Sequence, residues 1–181
     1  MTVKVDSTIS LQIIEEEHAA SIFDLVNADR PHLRKWLPWV DNMITVADFR
    51  DYIVDSKNLL EKGTDYGFVI TYNGTVAGRI GIHHIQAQNK IGAIGYWLGS
   101  SFQGRGIILK AAKAIISYGF TFLNLNRIEI KCGTENFRSQ SVAAKLNFKK
   151  EGIIRQGEFL YDAFIDLYLY SMLKEEWKAQ A

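Results

Sequence analysis

A strand, a glycine-rich turn, a long amphipathic helix and a second strand follow one another between residues 94 and 132, and no other stretch constrains the fold as much. Ile94, Gly95, Tyr96, Trp97, Leu98 and Gly99 form the first run, and Gln103, Gly104, Arg105, Gly106, Ile107 and Ile108 form the turn. Beyond it Lys110, Lys113, Ser117 and Thr121 recur at spacings of three and four, with Ile108, Ala112, Ile115, Gly119 and Phe122 on another side. That is the pattern of a helix with one face for a core. After Asn124, Leu125 and Asn126, the residues Ile128, Ile130 and Cys132 alternate with Arg127, Glu129 and Lys131, as in a half-covered strand. Strand, crossover helix and strand predict a parallel pair at the centre of a sheet.

The turn has its own chemistry. Gly104 and Gly106 carry no Cβ, so the chain can reverse tightly and a ligand can approach the backbone. Amides in such a turn point at an anion, and the helix behind them aims the positive end of its dipole at the same place. On these residues alone the turn is either a phosphate cradle or a tight structural turn.

Size and composition narrow the remaining choices. At 181 residues the chain suits a single domain with a sizeable core, expected over residues 8–178. With 48% hydrophobic residues and a net charge of +1, neither a disordered chain nor a polyanion-binding surface is indicated, so no direct nucleic-acid partner is expected. The single cysteine, Cys132, leaves no internal disulfide and suits a reducing compartment. Met1 to Asp6 lacks the apolar run of a signal peptide, and no stretch nears about 18 uninterrupted apolar residues. A cytoplasmic protein with no membrane partner is the expectation.

Elsewhere the pattern predicts a strand over 8–14, then a helix whose first turn is loaded by Glu15, Glu16 and Glu17 and which Pro31 breaks. Between Pro31 and Val40 lie Trp36, Leu37 and Trp39, a segment that either walls a cleft or packs a connection. A helix is predicted over 45–62, capped by Thr45 with Asp48 and ended by Gly63. Asn73 and Gly74 join two β-prone runs as a hairpin. His83 and His84 are adjacent on a strand and face opposite sides, so they do not converge on a metal, and no metal is expected. The last strand is read from Phe159 to Leu173, apolar on both sides, either as a central strand or as a homodimer contact.

The run I-G-Y-W-L-G with F-Q-G-R-G-I-I, and the downstream string Asn136, Ser139, Val142, Lys145, Leu146 and Phe148, resemble the GNAT N-acetyltransferase superfamily, and most of all the branch that acetylates the N-termini of ribosomal proteins at alanine or serine. Ile108 departs from the general pattern, which has a small residue there. The resemblance implies a single N-acetyltransferase domain of mixed α and β structure. Its sheet would have about seven mostly antiparallel strands, helices on both faces and a splayed central parallel pair.

It further implies acetyl-CoA as donor, with the diphosphate on the turn from Gln103 through Gly104, Arg105, Gly106, Ile107 and Ile108. The pantetheine arm would lie along the backbone of Tyr96, Trp97 and Leu98, and Asn136, Ser139 and Lys145 would help hold the cofactor. Arg105, Lys110, Lys149 and Lys150 are further candidates for its phosphates, or are solvated surface charges. Transfer to a primary amine needs a base, an oxyanion donor and an acid for the thiolate. Those roles fall to Glu158, the Leu98 N–H and Ser139, although Glu158 also reads as an exposed strand carboxylate and Asn136 and Ser139 as helix caps. Trp36, Trp39 and His83 are assigned to the acceptor cleft. The acceptor implied is a protein N-terminus, with a small amine or antibiotic, or a non-catalytic acetyl-CoA-binding module, as alternatives. A covalent route through Cys132 is disfavoured because its apolar neighbours suggest burial.

Overall fold

The structure, a computed structural model, describes residues 1–178. Its strands are β1 (Thr2–Lys4), β2 (Ile9–Ile13), β3 (Tyr66–Tyr72), β4 (Thr75–Gln86), β5 (Ile91–Leu98), β6 (Arg127–Gly133), β7 (Lys149–Leu160) and β8 (Ala163–Leu173). The helices are α1 (Ala19–Ala28), α2 (Arg30–Leu33), α3 (Val46–Glu61), α4 (Ile107–Thr121), α5 (Phe137–Lys145) and α6 (Lys174–Lys178). One eight-stranded sheet runs β1-β2-β3-β4-β5-β6-β8-β7. Every neighbouring pair is antiparallel except β5 with β6.

The mixed sheet and its single parallel pair are as the sequence predicts, with one strand more than the expected seven. The addition is β1, three residues placed by the pairing of Val3 with Leu11, too short to show an alternation. Helix α4 covers one face of the sheet. Its buried residues are Ile107, Ala111, Ala112, Ile115, Ile116, Gly119 and Phe120, which include Ala112, Ile115 and Gly119 of the predicted stripe, whereas Ile108 is only partly buried. Phe122 is 75% exposed and stacks on Tyr118, because the helix ends at Thr121 and the next residue leaves the packed face.

On the other face α1 and α3 bury Ile22, Val26, Phe49 and Ile53 against Val69 of β3. Each such side chain contributes about 1.5–3 kcal/mol by leaving water. The predicted cap of α3 is present: Asp48 N–H donates to Thr45 Oγ1 at 3.3 Å and Thr45 N–H to Asp48 Oδ2 at 2.7 Å. Gly63 follows with φ +70°. Two expectations change. Glu16–His18 form a separate 3-10 turn before α1, closed by the His18 ring accepting from the Glu15 N–H at 3.0 Å. Pro31 opens α2 rather than breaking a helix, since a residue without an N–H costs nothing in a first turn.

The last predicted strand starts later than expected. Phe159 belongs to β7, Tyr161 reverses the chain at φ +60°, and β8 returns between β6 and β7. An interior position accounts for the burial of Leu167, Tyr170, Ser171 and Met172 on its two faces.

Candidate active site

The parallel pair opens into a fork. Ile91, Gly92 and Ala93 of β5 lie opposite Arg127, Ile128 and Glu129 of β6, and beyond them the two strands no longer pair. β6 stays paired with β8 along its whole length, whereas the far half of β5 keeps only β4. The Gly99 N–H donates to the Ala77 C=O at 2.9 Å, which sets the phase of the β4–β5 ladder. With Gly78 opposite Leu98 and Ile80 opposite Tyr96, the backbone groups of Trp97 turn to β4 and those of Tyr96 and Leu98 turn into the fork.

The glycine turn stands at its mouth. Gly104 and Gly106 take φ +76° and +72°, and nothing lies within 4 Å of where a Cβ would stand on either. Among the described residues, no backbone hydrogen bond uses the N–H of Gly104, Arg105 or Gly106. The first-turn amides of α4 have no partner within the helix, and no side chain caps it. Ile107 is buried and Ile108 packs against the same core, so neither side chain fills the turn. These features fit an anionic group such as a diphosphate.

Inside the fork, the Tyr96 hydroxyl lies 2.8 Å from Ser139 Oγ and donates to the Ser139 C=O at 3.3 Å. Ser139 sits in the first turn of α5, where its N–H donates to Asn136 Oδ1 at 3.2 Å, so Asn136 is a helix cap. Burial pushes the Tyr96 phenol well above its ordinary value, against the opposing bond from Ser139. Burial also raises the Cys132 thiol, which meets the same serine hydroxyl. The Tyr96 side chain was invisible as a site residue in the sequence, where only its backbone was singled out.

Across β5 a cavity of about 300 Å³ is lined by Leu37, Trp39, Tyr52, Arg79, His83 and Trp97, among others. Trp39 and Trp97 meet at 5.9 Å between ring centroids. The His83 ring lies over Gly81 and Gly95, where a Cβ on Gly81 would stand 2.7 Å from Nε2. His83 Nδ1 pairs with Asp65 Oδ1 at 3.0 Å. Burial holds this imidazole below its ordinary value, with the Asp65 bond pulling upward and Arg79 downward. Asp65, Tyr52 and Arg79 were not anticipated, because they come from separate segments that only the packing of the fold brings together.

Glu158 comes from the outer hairpin. Between Ile154, opposite Leu167, and Glu158, opposite Ile165, β7 holds two residues more than β8. Gln156 takes φ +50° there and its N–H donates to Asp166 Oδ1 at 2.7 Å, a bulge of the kind that re-aims a side chain. Burial alone raises the half-buried Glu158 carboxyl. The hairpin tip is tied to the tryptophan segment: Tyr161 donates to the Leu37 C=O at 2.9 Å, and the Arg34 guanidinium stacks 3.8 Å from the Tyr161 ring.

The remaining candidates scatter more widely. Trp36 lies against Gly133 at the end of β6 rather than lining the cavity. The Gln103 amide bonds His32 Nε2 at 2.7 Å, and Lys110 pairs with Asp6 at 2.8 Å. Arg105 donates to the Ser101 C=O, Lys150 covers the Tyr168 ring, and Lys145 and Lys149 are exposed. Among the described residues no cluster of three or more His, Cys, Asp or Glu could hold a metal, and no helix is long and apolar enough to cross a membrane.

A family model described as "Acetyltransferase (GNAT) domain" matches residues 9–149. The chain is 31% identical to the putative ribosomal N-acetyltransferase YdaF of Bacillus subtilis, over 99% of this chain and 98% of that one. It is 33% identical to the ribosomal-protein-serine acetyltransferase of Escherichia coli, over 95% and 96% of the two chains. Among solved structures, a RimL ribosomal alpha-N-protein acetyltransferase in complex with coenzyme A superposes with a TM-score of 0.93 at 27% identity, covering 97% of this chain and 99% of that one.

Proposed function

The chain belongs to the GNAT family of N-acetyltransferases, and from that premise we propose that it transfers acetyl from acetyl-CoA to the N-terminal α-amine of a protein, ribosomal proteins being the first candidates. The observation that carries the reading is the fork: β5 and β6 part after Ala93 and Glu129, with an anion-fitting turn at the opening. When bound, acetyl-CoA supplies the activated acetyl thioester. The amides from Gly104 to Leu109 hold its diphosphate, and the free backbone of Tyr96 and Leu98 lines its pantetheine arm as a missing strand would.

Glu158 takes the proton from the acceptor amine, directly or through water. A carboxyl raised by burial is a stronger base than an exposed one, which suits the task. The Leu98 N–H, turned into the fork, faces the developing oxyanion. Ser139 gives its hydroxyl proton to the departing sulfur and recovers one from solvent, while Tyr96, kept neutral by burial and hydrogen-bonded behind it, holds the serine hydroxyl in place. Trp39, Trp97 and His83 position the acceptor. Cys132 is given no covalent part, since burial raises its thiol and disfavours the thiolate a nucleophile needs. The protein works in the cytoplasm, where such acceptors are made.

Release of CoA from acetyl-CoA, measured against N-terminal peptides and free amines, tests the proposal. Peptides should turn over well above free amines, and Glu158→Gln and Ser139→Ala should each slow them. Unchanged turnover in both variants rejects the assigned roles. Turnover of small amines alone would move the acceptor to that class, and tight acetyl-CoA binding without turnover of any amine would make the chain a non-catalytic module.

A further inference from the structure

We propose that Arg79 makes the acceptor cavity a receptor for a carboxylate, so that the preferred acceptor is an N-terminus with aspartate or glutamate at its second or third residue; this rests on the peptide reading above. Arg79 stands on β4 opposite Trp97 and lines the cavity with Trp39, Tyr52 and His83. Its guanidinium lies 4.7 Å from the Tyr52 ring centroid and over Gly67, where a Cβ would come within 2.8 Å of Nη2. The Nε–H is buried and has no hydrogen-bond partner, and among the described residues no carboxylate pairs with this arginine.

Three other arginines are matched. Arg30 donates to the carbonyls of Val40 and Met43, Arg34 to Asp41, and Arg127 to Glu129 and Glu151. A guanidinium remains charged at any working pH, and that of Arg79 lines the cavity with no anion beside it among the described residues. A ligand that satisfies it therefore gains over one that does not. The planar fork of donors matches a carboxylate, which it can bind through two parallel bonds. Asp65, the acid beside the cavity, is engaged by His83 and does not pair with Arg79. Burial also favours neutral His83, leaving a single positive charge to face the ligand, which suits a carboxylate better than a doubly charged phosphate. The aromatic walls would enclose the methylene stem.

The test is steady-state kinetics with peptide pairs identical except for Asp against Asn, or Glu against Gln, at the second and third residues. For the unaltered protein the acidic member should have a kcat/KM about tenfold higher or more, mainly through KM. Arg79→Gln should bring that ratio to about one, while Arg79→Lys retains part of it. Peptides acetylated without discrimination, or a ratio that survives Arg79→Gln, would overturn the carboxylate pocket and leave the peptide reading standing. Free aspartate or β-alanine turned over in an Arg79-dependent way, with all peptides inert, would overturn the peptide acceptor and place the carboxylate on a small molecule. A phosphoserine peptide outperforming its aspartate counterpart would overturn the choice of carboxylate.

Discussion

The two ends of the β5–β6 pair face opposite demands. At the closed end the ladder is intact, and Arg127 donates to Glu129 at 2.8 Å and to both oxygens of Glu151 at 2.7 Å, while Ser171 completes Glu151 at 2.6 Å. At the open end the backbone of Tyr96 and Leu98 has no strand partner on the side of the fork, and Tyr96 and Ser139 hold each other across the gap. The same contrast divides Arg127, paired with Glu129 and Glu151, from Arg79, which has no carboxylate partner among the described residues. Polar groups that satisfy one another hold a sheet together, and those left unsatisfied beside a cavity are available to a ligand.

The comparison breaks most sharply at Glu158. Glu158→Gln should lower kcat/KM by about 100-fold to 10,000-fold, the range of a positioned acid or base. The pH profile sharpens the point. A raised carboxyl is active only above its folded value, so the rate should climb with pH along a limb displaced upward from the ordinary carboxylate range and absent in the variant. A glutamine variant as fast as the parent would leave the open end without its base. Next in size, Ser139→Ala should cost about 10-fold to 100-fold in kcat, at the low end for proton transfer, and Tyr96→Phe less, because the serine hydroxyl remains.

The closed end should respond in stability instead. Burial is slight around Glu151, so Arg127→Met should cost only about 1–2 kcal/mol. In a chain of this size that lowers Tm by roughly 2–8 °C, with catalysis little changed per folded molecule. The bond to Arg127, followed by the one to Ser171, lowers the Glu151 carboxyl from 4.5 to about 2. A depressed carboxylate stabilises the fold above its unfolded value, and the gain is lost as pH falls from 4.5 towards about 2. Thermal scans across that window should show a slope that Glu151→Gln flattens. The smallest effect belongs to Cys132→Ala, which should change kcat by less than about threefold if no acyl group passes through the thiol.

How much of this was legible in the sequence follows from range. The turn at Gln103, the helix behind it, the cap at Thr45 and the Asn73–Gly74 hairpin depend on neighbours a few residues apart, and each left a periodic or positional mark. The fork left none. Neither strand is interrupted in sequence where they separate, and only the missing partner beyond Ala93 reveals the parting. Tyr96 and Ser139 are 43 residues apart, and Asp65 and His83 are 18 apart. Such side-chain pairs are made by topology, which no local spacing encodes. The bulge beside Glu158 likewise depends on Gln156 adopting a positive φ against Asp166 on the partner strand. Resemblance supplied Ser139 and Glu158 before the structure supplied their surroundings.

Hydrogen exchange with and without saturating acetyl-CoA tests the fork most directly. Acetyl-CoA at about 100 times its dissociation constant should stabilise the fold by about 2.7 kcal/mol. It should slow exchange at the amides of Tyr96, Leu98 and Gly104 through Leu109 while leaving Ile91 to Ala93 as they were. Protection confined to the Ile91 end, or no change in exchange and melting at all, would contradict the assignment of the open end to the acetyl donor.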